Sequence, residues 1–115
     1  MSLLERKTQP PKCPFCGQEI APPQPMEDDP LFEFDGGACS CGAIYCFDPT
    51  ARNGGAVMLQ AMVQACRGDW DKAQNLSPGI DYVDGFLTRY SALAHRVNAP
   101  GAFGTIYFIR LKSRK

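Results

Sequence analysis

Residues 36–42 read Gly-Gly-Ala-Cys-Ser-Cys-Gly, two thiols within a stretch that three glycines make easy to turn. Before it, Leu31-Phe32-Glu33-Phe34 alternates apolar and acidic residues; after it, Ala43-Ile44-Tyr45-Cys46-Phe47 is rich in β-formers. Two such runs around a glycine-rich turn predict a β-hairpin carrying Cys39 and Cys41 at its tip. Two thiols so placed need partners, and Lys12-Cys13-Pro14-Phe15-Cys16-Gly17-Gln18 supplies two more upstream. The reading of the first half of the chain turns on whether these four sulfurs meet.

A structural zinc site takes four soft or borderline ligands in a tetrahedron and leaves no position for water. A Cys-x-x-Cys turn followed by glycine delivers two thiolates from one loop, and the glycine can adopt a positive φ that turns backbone N–H groups toward the sulfurs. Cys13 to Gly17 has this form, stiffened by Pro14, and Cys39 to Gly42 repeats it one residue shorter. These residues resemble the two knuckles of the zinc ribbon family, over about residues 12–47 of the chain. The resemblance implies one structural zinc held by Cys13, Cys16, Cys39 and Cys41. The second pair departs from the more usual Cys-x-x-Cys spacing, which leaves Cys46 as an alternative to Cys39. Roughly 16 Å of extended chain between Cys41 and Cys46 favours Cys39. All-thiolate tetrahedra select zinc or iron, so iron is the alternative metal.

Composition bears on the same choice. The chain has 115 residues, six of them cysteine and ten proline. Eight prolines precede position 50, and few apolar residues recur there at any period, so this half needs a staple to fold. The N-terminal stretch has no apolar run of signal-peptide length, and no later segment reaches the length of a membrane span. The expected setting is therefore cytoplasmic, where clustered thiols more often hold a metal than form disulfides.

The remainder changes period. Leu59, Met62, Val63, Cys66, Trp70 and Ala73 mark one helical stripe, broken at Gly68-Asp69, and predict helices over about 55–67 and 69–75. Val83, Phe86, Leu87, Tyr90, Ala94 and Val97 continue the 3.6-residue spacing and predict a helix over 81–97, which Gly85 weakens. Residues 105–112, Thr-Ile-Tyr-Phe-Ile-Arg-Leu-Lys, form the clearest strand, expected to lie beside 43–47. The fold class that results is α+β: a flexible lead-in over 1–11, a zinc-ribbon-like hairpin lobe over 12–47, and a region over 48–115 with two to three helices and a C-terminal strand, all in one continuous domain.

The other chemistry-bearing residues have bland readings. Cys46 and Cys66 sit in apolar patterns and act as small core hydrophobes. His95, the one histidine, falls on the polar side of the predicted 81–97 helix and reads as solvated. Residues 48–55, Asp-Pro-Thr-Ala-Arg-Asn-Gly-Gly, lack the lysine of a phosphate loop; a strand-to-helix turn capped by Asp48 or Thr50 explains them.

Charge is uneven although the total is zero. Eleven acids against Arg52, Arg67 and Lys72 give −8 over residues 17–84, whereas 85–115 hold six cations and no acid. Arg52, Arg89, Arg96, Arg110 and Lys112 are thus candidate contacts for an anion or nucleic acid. The function these features favour is a non-catalytic interaction module with structural zinc and a protein partner. A nucleic-acid-binding ribbon using 85–115 is the alternative, and a thiol redox protein or small enzyme, using the cysteines or a pocket behind the 48–55 turn, the third.

Overall fold

β-branched and aromatic residues from two distant stretches meet at the centre of the molecule. The computed structural model describes residues 7–26 and 33–112. Strand β2 (Ile44–Asp48) pairs antiparallel with the last strand, β4 (Gly104–Leu111), in the register Ile44↔Ile109 to Asp48↔Thr105. This is the pairing anticipated for 43–47 and 105–112. Strand β1 (Gly36–Ala38) adds to the free side of β2 as the hairpin, and β3 (Tyr82–Tyr90) lies along the other side of β4. The sheet is four-stranded and antiparallel, in the order β1-β2-β4-β3.

Helix α1 (Gly54–Ala65) and the short α2 (Trp70–Gln74) follow the broken stripe. Gly68 takes φ 88°, and the Asp69 side chain accepts the Lys72 N–H at 3.0 Å, so the break is a helix end followed by a new cap. With the sheet they make an α+β fold.

Side-chain alternation assigns the two sheet faces. Tyr45, Ile106 and Phe108 are buried in one core with Cys13, Ile20 and Cys39. Their neighbours along the strands, Cys46 and Ile109, are buried instead with Val57 and Ala61 of α1. One face of the sheet therefore carries the cysteine loops and the other carries the helix. The lead-in is anchored where it meets this core: Gln9 and Val97 exchange backbone hydrogen bonds of 3.1 and 2.8 Å, and Pro11 accepts from the Ile20 N–H.

Two expectations need correction. The hairpin's first strand begins at Gly36; Glu33 and Phe34 precede it without strand structure, and Leu31 and Phe32 lie outside the described residues. The helix expected over 81–97 is replaced by β3 and a loop. The apolar spacing that mimics a helix is coincidental, since Phe86 stands 61% exposed. Burial alternates along β3, with Val83, Gly85 and Leu87 half-buried between exposed Asp84, Phe86 and Thr88. Gly85, a poor helix residue, suits the strand because a Cβ would crowd Pro14 Cγ at 3.0 Å in the first cysteine loop. Pairing with β4 and contact with that loop override the local pattern.

Candidate metal centre

Each cysteine pair is presented by a tight, hydrogen-bonded turn. In the first, the Gly17 N–H donates to the Cys13 carbonyl at 2.9 Å, while the Cys13 N–H donates to Gln18 at 2.8 Å. In the second, the Gly42 N–H donates to the Cys39 carbonyl at 2.9 Å and the Cys39 N–H to Ala43 at 2.8 Å. Gly17 and Gly42 both take the positive φ that the sequence pattern calls for, 80° and 100°. The Ser40 hydroxyl donates to the Gln18 side chain at 2.6 Å and ties one turn to the other. Below them, Phe15 packs edge-on against Phe108 with ring centroids 6.4 Å apart, which seats the first loop on the sheet.

The four sulfurs of Cys13, Cys16, Cys39 and Cys41 lie within 4.8 Å of one another. Cys13 Sγ is 3.7 Å from Cys41 Sγ, and Cys16 Sγ is 3.5 Å from Cys39 Sγ. A tetrahedron with metal–sulfur bonds of ~2.3 Å has an edge of roughly 3.8 Å, so the cluster could hold a metal ion. The Phe15 N–H points at Cys13 Sγ from 3.4 Å, a donor suited to a thiolate. Cys13 and Cys39 are buried, Cys41 is half-buried and Cys16 is exposed, so the centre sits at the surface with its inner side sealed.

The ionisation tendencies of the thiols differ. Burial pushes Cys13 up to about 12 despite the Phe15 N–H. Burial also opposes ionisation of Cys41, but the Ala43 N–H and the Arg110 guanidinium bring it down to about 7. Four such groups cannot all be thiolates this close together without a cation between them.

Cys46 is not part of the cluster. It is fully buried on the helix face, with Sγ 3.7 Å from Gln60 Nε2 and 3.8 Å from Met26 Sδ. Cys66 is also buried, among Val63 and Ala73. The basic candidates do not form one surface. Arg96 donates to the Thr8 hydroxyl at 3.1 Å and the Thr8 carbonyl at 3.0 Å. Arg52 borders a cleft with Phe103, and Arg89 is exposed near the end of β3. Arg110 lies over the Phe15 ring, and the Lys112 ammonium donates to the Gly79 carbonyl. Arg110 and Lys112 do share a cleft with Arg67, a residue the charge count did not single out.

His95 departs from its expected solvated place: both ring nitrogens are engaged, with the Tyr90 hydroxyl and the Ile20 carbonyl. The 48–55 turn matches its capped reading. Buried Asp48 accepts from the backbone N–H groups of Thr50, Ala51 and Asn53 and from the Thr50 hydroxyl. Gln60 was missed altogether. Its side-chain oxygen accepts from the Glu33 and Phe34 N–H groups at 3.0 Å each, and its amide donates to the Phe34 carbonyl at 2.7 Å. Gln60 lies beside the stripe of Leu59, Met62 and Val63 and not within it, so the sequence pattern gave no signal for this role.

No protein-family model matches the chain, and neither a curated protein nor a solved structure matches it. Among the described residues, no helix is long and apolar enough to cross a membrane.

Proposed function

We propose that this is a small zinc-binding protein in which Cys13, Cys16, Cys39 and Cys41 hold one structural zinc ion, and that it acts in the cytoplasm as a non-catalytic module binding another protein. The observation that carries the metal reading is the set of sulfur separations, 3.5 and 3.7 Å for the two closest pairs. Four thiolates close the coordination sphere and leave no place for a reacting water, which favours a structural ion over a catalytic one. The ion would supply cohesion to a lobe that has little core of its own, through residues 12–47 packed on the remainder as one domain. Zinc is favoured over iron because it brings no redox chemistry to a site next to the solvent.

A protein partner is favoured over nucleic acid by two features. The outer edge of β3 has no strand beside it among the described residues, and Phe86 stands exposed on that strand. Arg96, by contrast, is already held by Thr8, and the cleft that Arg110 lines includes neither Arg52 nor Arg89.

Metal analysis of freshly purified protein tests the first part. One zinc per chain is expected, with a cobalt-substituted form showing the absorption of a tetrathiolate site. A fully folded protein with no metal and a Cys39–Cys41 disulfide would transfer the reading to a thiol redox protein. Duplex and single-stranded nucleic acid across a salt series tests the second part: binding that strengthens steeply as salt falls would move the partner to nucleic acid.

A further inference from the structure

A cleft of about 800 Å³ opens beside Cys41, and three cations from separate segments line it: Arg67 from the turn after α1, Arg110 from β4, and Lys112 just beyond β4. No acid is among its lining residues. In a chain of zero net charge, with an acidic excess over residues 17–84, a cleft lined by three cations and no carboxylate calls for an explanation.

Arg67 is the most informative of the three. It has φ 58°, the left-handed conformation that glycine or asparagine normally supplies at a helix end. Among the described residues its guanidinium has no hydrogen-bond or ion-pair partner. The negative end of the α1 dipole favours a cation at this point. It does not account for Arg110 and Lys112 arriving at the same cleft from the opposite side. Arg110 has five donors, enough for its contact with Cys41 and for a ligand besides. The Lys112 ammonium already donates to the Gly79 carbonyl and borders a smaller cleft with Asp81, so the two guanidinium forks are the principal groups. Ile44, Val83 and Leu111 give the cleft apolar walls suited to more than a bare ion.

We propose that this cleft binds a phosphate-type dianion, the phosphate of an ester whose organic part lies against the apolar walls. Paired arginines match the planar, bidentate demand of phosphate oxygens, and such charge-assisted bonds are the strong ones. The inference stands apart from the identity of the bound metal and of any protein partner.

Backbone-amide NMR of the metal-loaded protein, titrated with inorganic phosphate and pyrophosphate against chloride at equal ionic strength, tests it. Saturable shifts are expected at Gly42, Ala65, Arg67 and Val83. Arg67→Gly suits the measurement because it relieves the left-handed backbone and should fold at least as well as the parent. It is expected to weaken binding about tenfold or more, with Arg67→Lys falling between. A phosphoserine peptide beside its unphosphorylated twin, and a mononucleotide, then separate a phosphorylated protein from a small ester; tighter binding of either supports the site and names its source. Absence of saturable shifts around the cleft overturns the proposal. So do shifts that persist unchanged in Arg67→Gly, since they would mean an adventitious ion only.

Discussion

The imidazole of His95 joins its own loop to a residue 75 positions away: Nε2 is 2.8 Å from the Ile20 carbonyl, while Nδ1 is 2.6 Å from the Tyr90 hydroxyl. A carbonyl only accepts, so Nε2 carries the hydrogen, and in the neutral ring Nδ1 accepts from Tyr90. Tyr90 is 2% exposed. His95→Ala would leave both the hydroxyl and the carbonyl without this partner and is expected to cost about 1–3 kcal/mol. Urea unfolding measures the loss. Protease cleavage within residues 7–26 should quicken as well, because the bond ties that segment to the C-terminal half.

Asp48 closes the turn into α1, whose own first cap, Asn53, makes no side-chain cap bond. One carboxylate oxygen takes the Thr50 and Ala51 donors and the other takes the Asn53 N–H at 2.8 Å, all at a fully buried position. Asp48→Ala should destabilise by about 3 kcal/mol or more, since several donors lose a charged acceptor together. Asp48→Asn keeps one acceptor and should cost about half as much. Thermal melts give the order, and an Asp48→Asn variant as unstable as Asp48→Ala would show that the charge, not the oxygen count, holds the turn.

The two cysteine loops, the central strands and both helices were legible because each rests on a local rule: knuckle glycines, β-branched runs, and a stripe ending at Gly68-Asp69. Strand β3 was not. Its Val83, Phe86, Leu87 and Tyr90 satisfy a helical period, and only the partner strand and the close approach of Pro14 to Gly85 show why the segment is extended. His95 followed the same error, because its place on a helix face was inferred from a helix that does not form. The positions of the four cysteines could be read from spacing, but Arg67 and Gln60 owe their roles to tertiary neighbours that no sequence period encodes.

Cys46 gives the folded state an alkaline limit. Burial raises its thiol to about 12 from an ordinary 9.0, against the pull of the Gln60 amide. The unfolded chain therefore releases this proton first, and stability that is complete below pH 9 is lost progressively as pH rises toward 12. Burial, followed by the neighbouring Tyr45, raises Tyr90 to about 12 and acts with the same sign from its ordinary 10.0 upward. Urea midpoints measured across this range should fall with pH, and Cys46→Ala should blunt the onset, with Cys66 keeping part of it because burial raises that thiol too. An unchanged onset in Cys46→Ala would remove the thiol from the account.

Arg110 is placed to steady a metal ion held by the four cysteines, as proposed above, as well as to line the cleft. Its guanidinium carbon is 5.2 Å from the centroid of Phe15, one of the two residues between Cys13 and Cys16, and its charge helps bring the Cys41 thiol down to about 7. Four thiolates around a divalent ion leave a net charge of about −2, which a fixed cation stabilises. Arg110→Met retains the apolar stem but not the charge, and is expected to weaken metal binding about 10- to 100-fold, the range for partners that support a ligand from behind. Arg110→Lys should recover part of it. Chelator competition in phosphate-free buffer gives the affinities, and labelling of Cys16 and Cys41 under the same chelator gives the release rate. If Arg110→Met held the metal as firmly as the parent chain, the role of Arg110 would be confined to packing on Phe15.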